Sequence, residues 1–118
     1  MKYSQTWTRD VMEVEPEYLL SREEFRKQVF ARDKNQCVYC KRPAQDAHHI
    51  LERRLWHNGG YYLSNGASLC ADCHLSAEMT LISVEAIRSA AGITNPKIPD
   101  HMYQDVKYTK WGDTILAN

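Results

Sequence analysis

Two cysteine pairs constrain this chain more than any other feature of its sequence. Cys37 and Cys40 form one C-x-x-C pair, and Cys70 and Cys73 form a second pair about thirty residues later. Each pair can turn two thiolates towards one tetrahedral ion, and four sulfur ligands leave no open position for water. The pattern therefore predicts a structural zinc site. A thiol-disulfide protein is the alternative, but two pairs at this distance are hard to explain as one thioredoxin-like redox pair.

The length of the chain limits how many cores it can bury. Its 118 residues, 43% of them hydrophobic, suffice for one modest core and are too few for two. We divide this one unit into an N-terminal arm over residues 1–20, a central domain over residues 21–92 and a C-terminal extension over residues 93–118 that packs on it. The arm is expected to pack through Trp7, Tyr18 and Leu19.

The apolar residues are too scattered for a targeting or membrane segment. The first residues lack the apolar run of a signal peptide, and no stretch approaches the roughly 20 apolar residues that span a bilayer. We therefore expect a cytoplasmic protein with no membrane contact. In such a reducing compartment, cysteines are better suited to metal than to disulfide bonds.

Basic residues concentrate around the cysteine and histidine cluster. The chain as a whole is balanced, with 15 Lys and Arg against 15 Asp and Glu. Between Arg22 and Arg54, however, nine basic side chains stand against five acidic ones. Such a zone suits a polyanion, although a solvated surface of mixed charge is an equal alternative.

Capping signals and aromatic residues predict an α+β fold. Ser21 and Glu24 fit a capping box, and Leu20 and Phe25 fit a hydrophobic staple, which together predict a helix over residues 22–32.

Two strands and two helices are expected after the first cysteine pair. Residues 46–51 and 61–63 fit strands joined by a glycine-containing turn. Asp72 is the expected N-cap of the next helix, and Ser83 the N-cap of another that stops at Gly92.

Three histidines lie within and beside this predicted unit. His48 and His49 are neighbours on the first predicted strand, so their side chains should point to opposite faces. One of them can then face a metal ion while the other faces an attacking water. His74 follows the last cysteine directly. Core or surface histidines of a zinc module are the alternative, and that alternative is favoured for any single histidine taken alone.

The order of these motifs resembles a known family. The residues that carry the resemblance are Cys37-x-x-Cys40, Asp46-Ala47-His48-His49-Ile50, Asn65 and Leu69-Cys70-x-x-Cys73-His74. Over roughly residues 25–80, the chain resembles HNH endonucleases of the His-Me finger group, in particular small phage-encoded ones. The resemblance implies a ββα-metal core with a four-cysteine structural zinc site and flanking helices.

The resemblance also implies the roles of the site residues. His49 falls at the position of the general base, and His48 and His74 fall at the positions of ligands to one catalytic divalent ion. Asn65 matches the residue that orients the base or pins the loop between the strands. The chain departs from the family at Asp46, because many members have an aspartate immediately before the base, where this chain has His48.

That departure bears on the catalytic ion. Two nitrogen ligands suit Zn²⁺, Ni²⁺, Co²⁺ or Mn²⁺ better than Mg²⁺, which prefers oxygen. Glu78 lies one helical turn after His74 and is a candidate third ligand.

The resemblance implies DNA as the substrate. Four basic residues near the motifs are candidate phosphate contacts, with ordinary exposed charge as the alternative for each: Arg53, Arg54, Lys41 and Arg42. Trp56, Tyr61 and Tyr62 could stack on bases, but packing of the hairpin against the helix is the favoured interpretation. We expect a monomer or weak dimer in a bacterial or phage-infected cell, with a larger phage or host complex as a further partner. The competing functional class is a non-catalytic four-cysteine zinc module that binds nucleic acid or protein.

Overall fold

Two short strands and three α-helices make up the part of the chain that the structure describes. The computed structural model describes residues 17–115. The elements are α1 (Arg22–Arg32), β1 (Asp46–His49), β2 (Gly66–Leu69), α2 (Ala71–Glu78) and α3 (Val84–Ala91). The strands form an antiparallel pair, so the predicted α+β class is confirmed. Across the residues described, every helix is too short or too polar to cross a membrane.

Helix α1 begins and ends where the sequence predicts. The Ser21 hydroxyl accepts a hydrogen bond from the Glu24 amide at 3.0 Å and so caps the helix. Phe25 and Val29 are buried from this helix, and both pack against Gly66 at the start of β2. A β-carbon at position 66 would lie 2.5 Å from the Val29 Cγ2 atom, so the close approach of α1 to the sheet requires glycine there.

The second strand differs from the sequence prediction. Residues 61–63 were expected as the partner strand, but β1 pairs with β2, with His48 opposite Ala67 and His49 opposite Gly66. Leu63–Asn65 forms a turn of 3-10 helix instead. All four residues of β2 are buried, so tertiary packing outweighs the low strand propensity of glycine, alanine and serine. The first strand also ends at His49, two residues earlier than predicted.

Helices α2 and α3 are capped by different chemistry. The N-cap of α2 is Cys70, whose sulfur accepts a hydrogen bond from the Cys73 amide at 3.4 Å. The predicted cap, Asp72, lies exposed inside the first turn, because β2 leads through Cys70 directly into the helix. Helix α3 follows its prediction, with Ser83 as the cap and Gly92 in the left-handed region at φ 74°.

The first described residues attach to the loop between the strands. The Glu17 carboxylate accepts hydrogen bonds from the Ser64 amide and hydroxyl at 2.7 and 2.6 Å. Tyr18 and Leu19 are 75% and 47% exposed, so the expectation that they pack is wrong; their neighbour Glu17 provides the contact. Trp7 lies outside the described residues.

A C-terminal turn closes over the end of β1. Residues 108–114 are held by a bridge between Tyr108 and Thr114, and the Glu52 amide donates to the Lys110 carbonyl at 2.9 Å. Residues well outside the sequence motifs therefore reach the end of the strand that carries His48 and His49.

Candidate metal centres and active site

The four cysteines converge on one point. Their Sγ atoms all lie within 4.8 Å of one another, and the Sγ atoms of Cys40 and Cys70 are 3.5 Å apart. A tetrahedral zinc ion with bonds of about 2.3 Å separates its sulfur ligands by about 3.8 Å. A disulfide would need an S–S distance of about 2 Å, and all four cysteines are free. The predicted cluster is thus confirmed as a group positioned to bind a metal ion.

Local hydrogen bonds prepare these thiols as ligands. The Cys40 amide donates to the Cys37 sulfur at 3.5 Å, which matches the contact between Cys73 and Cys70 in the second pair. Hydrogen bonds from the main chain and then the guanidinium of Arg42 lower the pKa of Cys40 to about 6. Burial raises the pKa of Cys73, so that thiol requires a bound cation to ionise at neutral pH.

A second group of candidate ligands joins β1 to α2. His48, His74 and Glu78 each offer one ligand atom, and these atoms lie within 4.8 Å of one another. The Glu78 Oε2 atom is 3.6 Å from His48 Nδ1 and 3.5 Å from His74 Nε2. These distances are long for hydrogen bonds but match the separation of about 3.4 Å between tetrahedral ligands with metal bonds of about 2.1 Å.

The burial and hydrogen bonding of His48 fit a metal ligand better than an ordinary core residue. Its side chain is buried, and among the described residues neither ring nitrogen has a hydrogen-bond partner. Burial, and then the positive charge of Lys110, lowers the pKa of His48 to about 2, so the imidazole is neutral. A buried nitrogen without a partner is rare in folded proteins, and a bound cation would satisfy it.

Asp46, where the chain departs from the family pattern, contacts a histidine. Its Oδ2 atom lies 2.9 Å from His74 Nδ1 and so leaves His74 Nε2 free to face Glu78. Carboxylates commonly hold the far nitrogen of a metal-binding histidine in this way. The contact accounts for an aspartate two residues before His48 on the same face of β1.

His49 lies on the other face of the strand, as alternation predicts. Its ring stacks on Phe25 at 4.6 Å between centroids and meets the edge of Tyr61 at 4.8 Å. Burial, and then the charges of Lys110 and Arg53, lowers the pKa of His49 to about 4. The imidazole is therefore unprotonated at neutral pH and can accept a proton.

Asn65 holds the loop that follows β1. It is 1% exposed, and its Oδ1 atom accepts a hydrogen bond from the Leu51 amide at 2.9 Å. Its Nδ2 group donates to the carbonyls of Leu51 and Gly60 at 3.1 and 3.2 Å. Of the two roles that the resemblance implies, these contacts correspond to pinning the loop.

One open cavity of about 430 Å³ contains the histidine cluster and His49. Of the four predicted phosphate contacts, only Arg53 lines it, where its guanidinium donates to the Tyr61 hydroxyl at 3.0 Å. Arg54, Lys41 and Arg42 are exposed away from the cavity lining, and Arg42 faces Asp72 at 3.5 Å. Trp56 and Tyr62 are buried against each other, whereas Tyr61 makes the expected contact with the helix through the edge of Phe25.

Three cations in the cavity were not identified from the sequence. Arg22 and Arg26 reach it from α1, one turn apart and on either side of Phe25. Their i, i+4 spacing beside an apolar residue was a usable signal. Lys110 reaches the cavity from the C-terminal turn, and no local pattern marks it because its partners are about sixty residues earlier in the chain.

Comparison with known proteins agrees with this geometry. Searches among curated proteins and among solved structures found no match. The model of the HNH endonuclease family matches residues 37–78, which include all four cysteines, both adjacent histidines, Asn65 and His74. This central segment is therefore similar to the HNH endonuclease family.

Proposed function

We propose that this protein is a metal-dependent endonuclease that hydrolyses phosphodiester bonds of DNA. In this proposal His49 is the general base, and His48, His74 and Glu78 hold one divalent cation. The observation that carries it is the presence, in one open cavity, of an unpartnered buried imidazole, two further ligand groups and a neutral histidine. The match of residues 37–78 to the HNH endonuclease family supports nuclease activity in general.

The base assignment rests on protonation state and position. His49 is neutral above a pKa of about 4, and its side chain lines the cavity between the Phe25 and Tyr61 rings. A general base contributes a factor of roughly 10² to 10⁴, whereas phosphodiester hydrolysis needs on the order of 20 kcal/mol of barrier lowering. When bound, the divalent cation would stabilise the charge on the phosphoryl group and on the departing oxygen.

The residues that would hold this cation are of mixed type. Two imidazole nitrogens and one carboxylate are compatible with Mn²⁺, Ni²⁺, Co²⁺ or Zn²⁺, and less with Mg²⁺. Asp46 would keep His74 in the orientation that directs Nε2 inward. We assign zinc to the four-cysteine site, where a closed sphere of sulfur gives it a structural role.

The substrate assignment rests on charge. Arg22, Arg26 and Arg53 surround the cavity and would contact phosphates beside the scissile bond. Contacts of this kind position the strand without reading its bases, so we expect weak sequence preference. One chain carries one such cavity among its described residues, which favours nicking of one strand at a time.

The test is cleavage of supercoiled plasmid by zinc-loaded protein, with each of Mg²⁺, Mn²⁺, Ni²⁺, Co²⁺ and Zn²⁺ and with EDTA. We expect nicking with at least one ion and a loss of at least hundredfold in His49→Ala. His101→Ala is the matched control, because His101 is exposed and lies outside the cavity lining. It should cut like the wild type.

The same assay separates the competing function. If folded, zinc-bound wild-type protein cuts neither DNA nor RNA with any ion yet shifts DNA in a gel, the non-catalytic zinc module is the better description. Activity that survives in His49→Ala would instead refute the base assignment while leaving the nuclease standing.

A further inference from the structure

Lys110 is an almost fully buried cation beside the candidate catalytic cluster. It is 5% exposed, although lysine is rarely buried without a specific partner. Its Nζ atom donates to the His49 carbonyl at 2.8 Å and lies 3.2 Å from Glu78 Oε2. A second carboxylate, Glu52, is 3.9 Å away.

These partners come from the two elements that carry the site. His49 is the last residue of β1, and Glu78 is the last residue of α2. The Glu78 oxygen that Lys110 approaches is the same Oε2 atom that faces His48 and His74. One ammonium group therefore links the main chain of the proposed base to the carboxylate of the proposed ligand.

Trp111, the residue after Lys110, makes a further contact with Glu78. The Trp111 indole Nε1 donates to the Glu78 carbonyl at 3.1 Å, and the Lys110 ammonium lies 5.2 Å from the centre of the Trp111 ring. The Lys110 carbonyl in turn accepts from the Glu52 amide. The C-terminal turn thus contacts both the side chain and the main chain of Glu78, from a position outside the family match at residues 37–78.

We propose that Lys110 is a positioning residue that holds the Glu78 carboxylate and the end of β1 in the arrangement that binds the divalent cation. This inference rests on the proposed function, because it assigns Glu78 to the metal. The charge of Lys110 taken alone acts against a nearby divalent cation. The role of this lysine, which has three polar partners, is therefore to hold those partners in place and not to attract the metal.

The charge of Lys110 would weaken metal binding, whereas its positioning of Glu78 would strengthen it, and this difference in sign provides the test. We would titrate zinc-loaded wild type, Lys110→Met and Lys110→Gln with Mn²⁺ and Co²⁺ by calorimetry, and record the visible absorption of bound Co²⁺. If Lys110 positions Glu78, removing it should weaken binding of the second ion tenfold to hundredfold and alter the Co²⁺ spectrum. The kcat for plasmid nicking should fall, with KM little changed. Lys107→Met, an exposed change in the same segment, should alter none of these.

The contrary outcomes are distinct. Equal or tighter binding of the second ion by the folded Lys110 variants would overturn the positioning role and leave the nuclease proposal intact. If the wild type bound no second ion, both the positioning role and the metal-dependent nuclease proposal would be overturned. The side-chain amide of Lys110→Gln can donate to the His49 carbonyl, so this is the variant to measure should Lys110→Met lose its structure.

Discussion

At the scale of single residues, neighbouring histidines differ in what surrounds them. His48 and His49 are adjacent in sequence, yet one faces His74 and Glu78 while the other is packed between Phe25 and Tyr61. Both are neutral at pH 7 because burial opposes their charge. Their protonation therefore opposes folding.

Replacing His49 by phenylalanine should make folding less sensitive to acid. The unfolded chain binds this proton near pH 6.5 and the folded chain only near pH 4, so wild-type stability falls as the pH drops below 6.5. Relative to His49→Phe, the wild type should lose about 1 to 2 kcal/mol of unfolding free energy between pH 7.5 and pH 5, allowing for partial exposure. Urea titrations at both pH values measure this difference. Loss of metal and protonation of His48 lower the stability of both proteins alike and cancel in the comparison. If both proteins lost the same unfolding free energy between the two pH values, the prediction would be contradicted.

Asn65 should matter for stability more than any exposed asparagine. Asn65→Ala removes one acceptor and two donor contacts inside the core and leaves the Leu51 and Gly60 main-chain groups without them. Unsatisfied buried groups cost about 1 to 3 kcal/mol each, so we expect a loss of roughly 2 to 5 kcal/mol in chemical unfolding. Asn95→Ala, at an exposed position, is the control and should change stability by less than about 0.5 kcal/mol. A similar cost for both would show that the loop is not held by this amide.

At the scale of elements, the sequence predicts the ends of helices well and the pairing of strands poorly. The Ser21 and Ser83 caps and Gly92 mark α1 and α3 correctly, since capping depends on residues within one turn. Strand β2 was missed because its residues favour a strand only through burial beneath α1. The order of cysteines and histidines indicated which side chains lie together, whereas the position of the arginines on α1 depends on how that helix packs.

Helix α1 should carry much of the DNA affinity. Arg22 and Arg26 line the cavity, whereas Arg54, which the sequence suggested, is exposed elsewhere. Neutralising one phosphate contact lowers the slope of log K against log salt by about 0.9. In fluorescence anisotropy with a short duplex and no catalytic metal, Arg22→Gln and Arg26→Gln together should weaken binding and reduce that slope by about 2. Arg54→Gln should leave the slope unchanged. If Arg54→Gln reduced the slope and the double variant did not, DNA would bind to another face.

At the scale of the whole molecule, two clusters of candidate metal ligands share helix α2 and the residue that caps it. Cys70 and Cys73 belong to the four-cysteine cluster, and His74 and Glu78 belong to the other, all within nine consecutive residues. Stability and the arrangement of the site therefore depend on the same junction. The C-terminal turn with Lys110 joins from the opposite end of the chain.

Loss of zinc should unfold the protein and so abolish cleavage. Structural zinc contributes about 10 to 16 kcal/mol in zinc-finger peptides, as much as the whole stability of a typical domain. Cys37→Ser should therefore bind less than one zinc per chain by atomic absorption and show no cooperative thermal transition. Tyr39→Ser alters the exposed middle of the same turn without touching a ligand and should retain both. A cooperative, zinc-free Cys37→Ser protein would show that the hydrophobic core suffices.

The adjacency of Cys73 and His74 has a consequence for how the chain can vary in length. Consecutive helical residues point about 100° apart, so this turn of α2 directs one side chain to each cluster. Adding or deleting one residue between Cys70 and Glu78 would rotate everything after it by that angle and separate the two sets of ligands. Related chains should therefore keep this segment at constant length, while the connection from α2 to α3 is free to lengthen or shorten.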